Sequence, residues 1–137
     1  MQLSENFNLE ELTRSATAIR LGIDNTPGSE AKDNLRRLCR EVLQPVRNRL
    51  KIPVIVTSGY RSKILNKAVG GAVRSQHLDG EAADIVCENN KVLWDLITDM
   101  IKSGEIEVGQ LINEKNLRWI HVSLPSRRHR NEIFCLS

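Results

Sequence analysis

Aromatic residues are scarce in this chain, at 4% of 137 residues. The core must therefore rest on aliphatic side chains, with Trp94 and Trp119 each mattering to packing. Cysteine is nearly absent as well. Cys39, Cys87 and Cys135 are odd in number and widely spaced, which excludes a disulfide framework and a CxxC metal site. Free, buried thiols in a reducing compartment are the simplest reading. No apolar run approaches membrane-spanning length. The first residues, Met1-Gln2-Leu3-Ser4-Glu5-Asn6, have neither the basic nor the apolar region of an export signal, so a cytoplasmic product is expected. Strong charge of one sign is also missing. Twenty basic against 17 acidic residues leave +3, too mild to indicate nucleic acid. The run Arg127-Arg128-His129-Arg130 is locally basic and reads as a solvated tail or turn. No internal repeat or low-complexity segment is visible.

What is present describes a folded chain: 40% apolar and 27% charged residues. The length suits one domain over 1–137, large enough to bury a core unaided. Asn8-Leu9-Glu10-Glu11 forms a capping box, with Phe7 and Leu12 at staple spacing, so a short helix begins near Leu9. Gly22 and Asp24-Asn25-Thr26-Pro27-Gly28 end this piece. From Ser29, Leu35, Leu38, Cys39, Val42, Leu43, Val46 and Leu50 recur at helical spacing, opposite Arg36, Arg37, Arg40 and Arg47. Pro45 should kink that helix.

Pro53 to Thr57 is short, apolar and β-branched, and reads as a buried strand. Ser58-Gly59-Tyr60-Arg61-Ser62 breaks it, and a short helix through Ile64-Leu65-Asn66 follows. Glu81 to Cys87 alternates as a strand, with Ala82, Asp84 and Val86 on one face. Asn89 or Asn90 caps a helix whose apolar face runs from Val92 to Ile101. Strands near 108–113 and 117–124 form an antiparallel hairpin across Glu114-Lys115-Asn116, and 133–136 adds a last strand. Helices first and hairpinned strands later indicate α+β, with N-terminal helices packed on a small, mostly antiparallel sheet.

The densest chemistry lies in Ser75-Gln76-His77-Leu78-Asp79-Gly80-Glu81-Ala82-Ala83-Asp84. A second histidine follows in Trp119-Ile120-His121-Val122-Ser123. Two neutral imidazoles and one carboxylate suit zinc and leave a fourth position open for water, the mark of a catalytic site. A buried, unpaired Asp84 would be costly, and a metal relieves that cost. His129, inside the basic run, reads as an ordinary surface residue.

These stretches resemble the M15 peptidases, zinc D-Ala-D-Ala carboxypeptidases and related cell-wall enzymes, and most closely their short, single-domain, phage-type branch. The pattern SxHxxGxAxD is met by Ser75, His77, Gly80, Ala82 and Asp84. An aromatic, an apolar residue and His-Val-Ser are met at Trp119 to Ser123. Ser58 to Ser62, Leu65-Asn66 and Val69-Gly70-Gly71 match further blocks. The resemblance implies a hedgehog/D-Ala-D-Ala peptidase-like fold, with His77, Asp84 and His121 as zinc ligands. It implies that Arg61 binds substrate or stabilises the oxyanion. Ser75, by its place in the motif, is a candidate for substrate binding or for a hydrogen bond to the loop backbone. Many relatives place an acidic residue three positions before the second histidine, where this chain has Arg118. The short branch instead ends a Gln-Leu-Ile-x-Glu strand with an acid, which makes Glu114 the general base here. Relatives often carry Asp before that Gln, where this chain has Gly109.

The substrate implied is a peptide bond in peptidoglycan stems, near D-Ala, cut by a carboxypeptidase or an endopeptidase. A monomer is expected, with no nucleic-acid or membrane partner, working in the cytoplasm or reaching the wall by a phage-type release. Two alternatives stay open: a zinc-containing module that binds cell-wall peptides without turnover, and a metal-free protein whose histidines only pack.

Overall fold

The first helix opens where the capping box puts it. The Asn8 side chain accepts from the Glu11 N–H at 3.0 Å, and the Glu11 carboxylate takes the Asn8 N–H at 3.2 Å. Helix α1 is therefore Leu9–Thr13, and Phe7 and Leu12 are both buried. A computed structural model describes all residues, 1–137. It adds three elements that the sequence left unread. Strands β1 (Gln2–Ser4) and β2 (Phe7–Asn8) pair antiparallel before α1, and helix α2 (Ala16–Leu21) follows it. The strands are too short for a period to show. Helix α2 exposes Ile19 and Leu21 and buries only Ala18, so it has no apolar stripe.

The long packing helix forms as its spacing predicts. Leu35, Leu38, Cys39, Val42, Leu43 and Val46 are all buried. Pro45 does not simply kink it. Helix α3 (Ser29–Leu38) passes through one π turn, Cys39–Leu43, into α4 (Gln44–Leu50). The Gln44 N–H reaches Cys39 O, five residues back. That wider turn shifts the register just before a residue that has no N–H to give and whose ring would crowd the carbonyl four residues back.

Behind these helices lies a five-stranded sheet in the order β3-β4-β6-β5-β7. Its strands are β3 (Ile55–Ser58), β4 (Ala82–Val86), β5 (Gln110–Glu114), β6 (Trp119–Ser123) and β7 (Glu132–Leu136). Helix α5 (Lys63–Ala68) follows β3, and α6 (Asn90–Lys102), capped by Asn89, follows β4. The pairs β3–β4, β4–β6 and β6–β5 are antiparallel, while β5–β7 is parallel. The protein is thus α+β with a mostly antiparallel sheet, as expected. The strand read from Pro53 as buried is corrected: it starts at Ile55, lies at the sheet edge and leaves Ile55 52% exposed. Proline cannot donate to a ladder, and an edge strand covers only one of its faces.

A single cluster of 23 buried side chains joins β1, the helices and one face of the sheet, through Ala83, Ile85, Leu111, Ile120 and Val122. The opposite sheet face is left for the site. No helix is long and apolar enough to cross a membrane.

The three thiols are free, but the expectation that all are buried holds only for Cys39; Cys87 is half-buried and Cys135 exposed. Burial, assisted by the negative Glu11, pushes the Cys39 thiol up to about 12. A thiol reagent at pH 8 should therefore label Cys135 rapidly, Cys87 more slowly and Cys39 only after denaturation, as counted by intact-mass spectrometry.

Candidate active site

The site is assembled by strand register. Asp84 on β4 sits directly opposite His121 on β6, and His121 sits opposite Ile112 on β5. Opposed residues in antiparallel strands share a face with Cβ atoms about 5 Å apart, so this pairing alone brings the two groups together. The core-facing neighbours Ala83, Ile85, Ile120 and Val122 force Asp84 and His121 to the other side. Glu114, two residues beyond Ile112 and opposite Trp119, falls on the same face.

His77 comes from the 3-10 turn Gln76–Asp79. The Ser75 hydroxyl oxygen caps that turn by accepting the His77 N–H at 3.1 Å. The imidazole is then fixed at its far side, where Nδ1 lies 2.7 Å from Gly59 O. A carbonyl only accepts, so Nδ1 carries the proton and the Nε2 lone pair is turned inward. Gly59 must approach closely: a Cβ there would collide with the backbone of Leu12, whose carbonyl also takes the Tyr60 N–H at 2.7 Å.

Asp84 holds the centre. Its Oδ1 lies 3.4 Å from His77 Nε2 and 3.1 Å from His121 Nδ1, and its Oδ2 lies 3.6 Å from Arg61 Nη2. Burial alone would raise this carboxyl, but the hydrogen bond with His121 and the neighbouring His77 imidazole outweigh it and hold the group well below the usual carboxylate range. Arg61 is itself partly covered, at 15% side-chain exposure. Desolvation pulls its pKa down, and Asp84 and Glu114 partly offset that. Its Nε donates to Ser58 Oγ at 3.2 Å and its Nη1 to Asn66 Oδ1 at 3.0 Å. Asn66, also buried, is anchored in turn through Nδ2 to Ala72 O at 2.9 Å.

The donor atoms of His77, Asp84 and His121 all lie within 4.8 Å of one another, so the three could hold one metal ion. The spacings fit. Bonds of 2.0–2.1 Å in a tetrahedron put neighbouring donors about 3.3–3.4 Å apart. The Asp84 Oδ1 contacts, at 3.4 and 3.1 Å, match that edge. Two imidazole nitrogens and a carboxylate oxygen are also a donor set that zinc favours. A backbone carbonyl orienting the first imidazole is the support that metal-binding histidines commonly have.

A cleft of about 760 Å³ opens over this group, roomy enough for several residues of a peptide. Every residue singled out from the sequence lines it: Arg61, Ser75, His77, Asp84, Glu114 and His121. Trp119 and Tyr60 do too. Arg118 does not; it sits exposed in the turn after Glu114. Gly109 has a packing reason, because a Cβ there would strike Leu124 O.

Sequence reading missed part of the wall. Arg128 and His129, taken for a solvated stretch, line the cleft, as do Arg14, Arg74 and Gln110. The pairing of β7 with β5 folds the basic run back over the sheet, and a parallel return of that kind leaves no local mark in the sequence.

A family model described as Peptidase M15 matches residues 5–123. The match takes in all six site residues and stops before the β6–β7 connection. No curated protein matches the chain.

Zinc or another divalent ion at 100 times its Kd should stabilise the protein by about 2.7 kcal/mol in thermal or urea melts, and a chelator should reverse the gain. Asp84→Ala should abolish the ion's effect. Equal stabilisation of that variant would place the ion elsewhere.

Proposed function

The chain belongs to the M15 peptidase family, and from that premise we propose that it is a zinc-dependent peptidase acting on peptidoglycan stem peptides, with D-Ala-D-Ala carboxypeptidase-like specificity. The observation that carries the reading is the convergence of the His77, Asp84 and His121 donor atoms on the floor of a cleft that Arg61 and Glu114 also line. Zinc in that position would supply Lewis acidity and lower the pKa of a water toward about 7.

The protein's own groups do the rest. Glu114 takes the proton of the attacking water and later delivers it to the departing amine. Arg61, kept from solvent and steadied by Ser58 and Asn66, offers its guanidinium to the charge that grows on the carbonyl oxygen, or to the terminal carboxylate of the substrate. Its neighbours fix it before substrate arrives, so little reorganisation is needed. Ser75 has a hydroxyl proton to donate to the peptide, because its oxygen serves the His77 N–H only as an acceptor.

Mass spectrometry of defined muropeptides incubated with zinc-loaded protein tests the proposal, with His77→Ala as control. Loss of one terminal alanine is the expected product; a cut inside the stem would make the protein an endopeptidase. No product from protein that holds one zinc would favour a peptide-binding module. Glu114→Gln should keep its zinc and lose about 10²–10⁴-fold in kcat. Unchanged turnover would remove Glu114 from the mechanism. Arg61→Ala should raise KM more than it lowers kcat if the residue holds the substrate carboxylate, and lower kcat if it serves the oxyanion.

A further inference from the structure

The cleft carries more positive charge than the proposed chemistry uses. Arg14, Arg61, Arg74 and Arg128 line it against only two carboxylates, Asp84 and Glu114. Arg61 is committed to Asp84, Ser58 and Asn66. The other three form no ion pair. Unpaired arginines occur elsewhere too, such as Arg20, Arg40 and Arg47; what sets Arg14, Arg74 and Arg128 apart is that they share one concave wall. Cations gathered in a concave wall without counter-charges raise the local potential and favour an anionic ligand.

Arg128 is mounted firmly. It sits in a turn closed by Ser126 N–H to His129 O at 2.9 Å and by His129 N–H to Ser126 Oγ at 3.2 Å. The His129 ring is held through Nδ1 by Glu132 at 3.0 Å, and Gln110 Nε2 donates to the same carboxylate at 3.2 Å. Val108 N–H donates to Asn131 Oδ1 at 2.9 Å, tying the end of the turn to the start of β5. Across the cleft, the loop bearing Arg74 touches the same region, since Gln76 Nε2 donates to Leu124 O at 2.9 Å. Such bracing fixes the backbone from which the two exposed guanidinium side chains reach into the cleft, so no loop has to be ordered on binding.

We propose that Arg128 and Arg74 form a second anion subsite, which takes a substrate carboxylate remote from the scissile bond. The strand supplies the distance. Ile112, opposite His121, marks the metal centre, and Gln110, which braces the Arg128 turn, lies two residues along β5. Two residues of strand span about 7 Å, so the carboxylate would sit about two residues from the cleaved bond. The turn bearing Arg128 lies beyond the family-matched residues, whereas Arg74 lies within them. This inference rests on the peptidase reading. It narrows the substrate to stems with a free side or α-carboxylate, as against stems amidated there.

The test uses two stem peptides that differ only in a free glutamate α-carboxylate against its amide. Binding is measured by calorimetry on chelator-treated protein, where nothing turns over, and hydrolysis on the zinc-loaded protein. The wild type should prefer the carboxylate stem by about threefold to tenfold, between the worth of an exposed ion pair and that of a charge-assisted hydrogen bond. Arg128→Gln should remove most of the preference, leave the amidated stem's affinity unchanged, and be rescued in part by Arg128→Lys. Added salt should shrink the preference. Equal affinity of the wild type for both stems, or a preference that survives Arg128→Gln combined with Arg74→Gln, overturns the subsite. Preference without hydrolysis of either stem supports the subsite and sinks only the peptidase reading. Hydrolysis without preference sinks only the subsite.

Discussion

Asp84 is a buried anion, and the surrounding structure answers to it. Removing a carboxylate from water costs several kcal/mol, and about as much again would be lost if one of its partners were deleted. The His121 imidazole and the Arg61 guanidinium meet that demand, with the His77 ring against the same oxygen. Each partner then raises a demand of its own. Arg61 needs Ser58 and Asn66, Asn66 needs Ala72 O, and His77 needs Gly59 O. The chain of satisfaction ends on backbone carbonyls, which the fold fixes. Such a network is all-or-none in character: complete it is rigid, and with one member missing it leaves a stranded polar group.

The sheet turns that network into a ruled surface. Ser58, Asp84, His121, Ile112 and Phe134 stand opposite one another in succession, one from each of the five strands. A one-residue slip at any of these pairings would send its side chain to the other face. Aliphatic packing beneath, from Ala83, Ile85, Ile120 and Val122, makes such a slip prohibitive. The core therefore sets the site's geometry although it contributes no reactive group.

Local signals were legible. The Asn8 cap, the apolar stripe from Leu35 to Val46, and the alternation that turns Asp84 away from Ala83 and Ile85 could all be read from residue types and spacing. The three groups that could hold a metal were legible because His77 and Asp84 share one short block and His121 sits in another, and the β4–β6 register brings Asp84 and His121 together. Nonlocal facts were hidden. The sequence does not say that β7 runs parallel to β5, and so Arg128 and His129 passed for a solvated stretch. Asn66 was visible only as part of a matching block; its service to Arg61 depends on a meeting of side chains that spacing cannot show. The π turn before Pro45 was read as a kink because proline announces a disturbance without specifying how the chain absorbs it.

The separation of the donors along the chain bears on how the molecule folds. His77 and Asp84 travel together, but His121 is 37 residues beyond Asp84. The third donor arrives only when β6 docks on β4, and nonlocal strand pairings of that kind are slow to form. An ion added to the unfolded chain meets two donors at best. Its hold tightens after the sheet has closed, so it acts on the barrier to unfolding more than on the speed of folding. In such a protein a bound ion would serve as a latch on a finished structure, and persistence in a hostile medium would depend on keeping it.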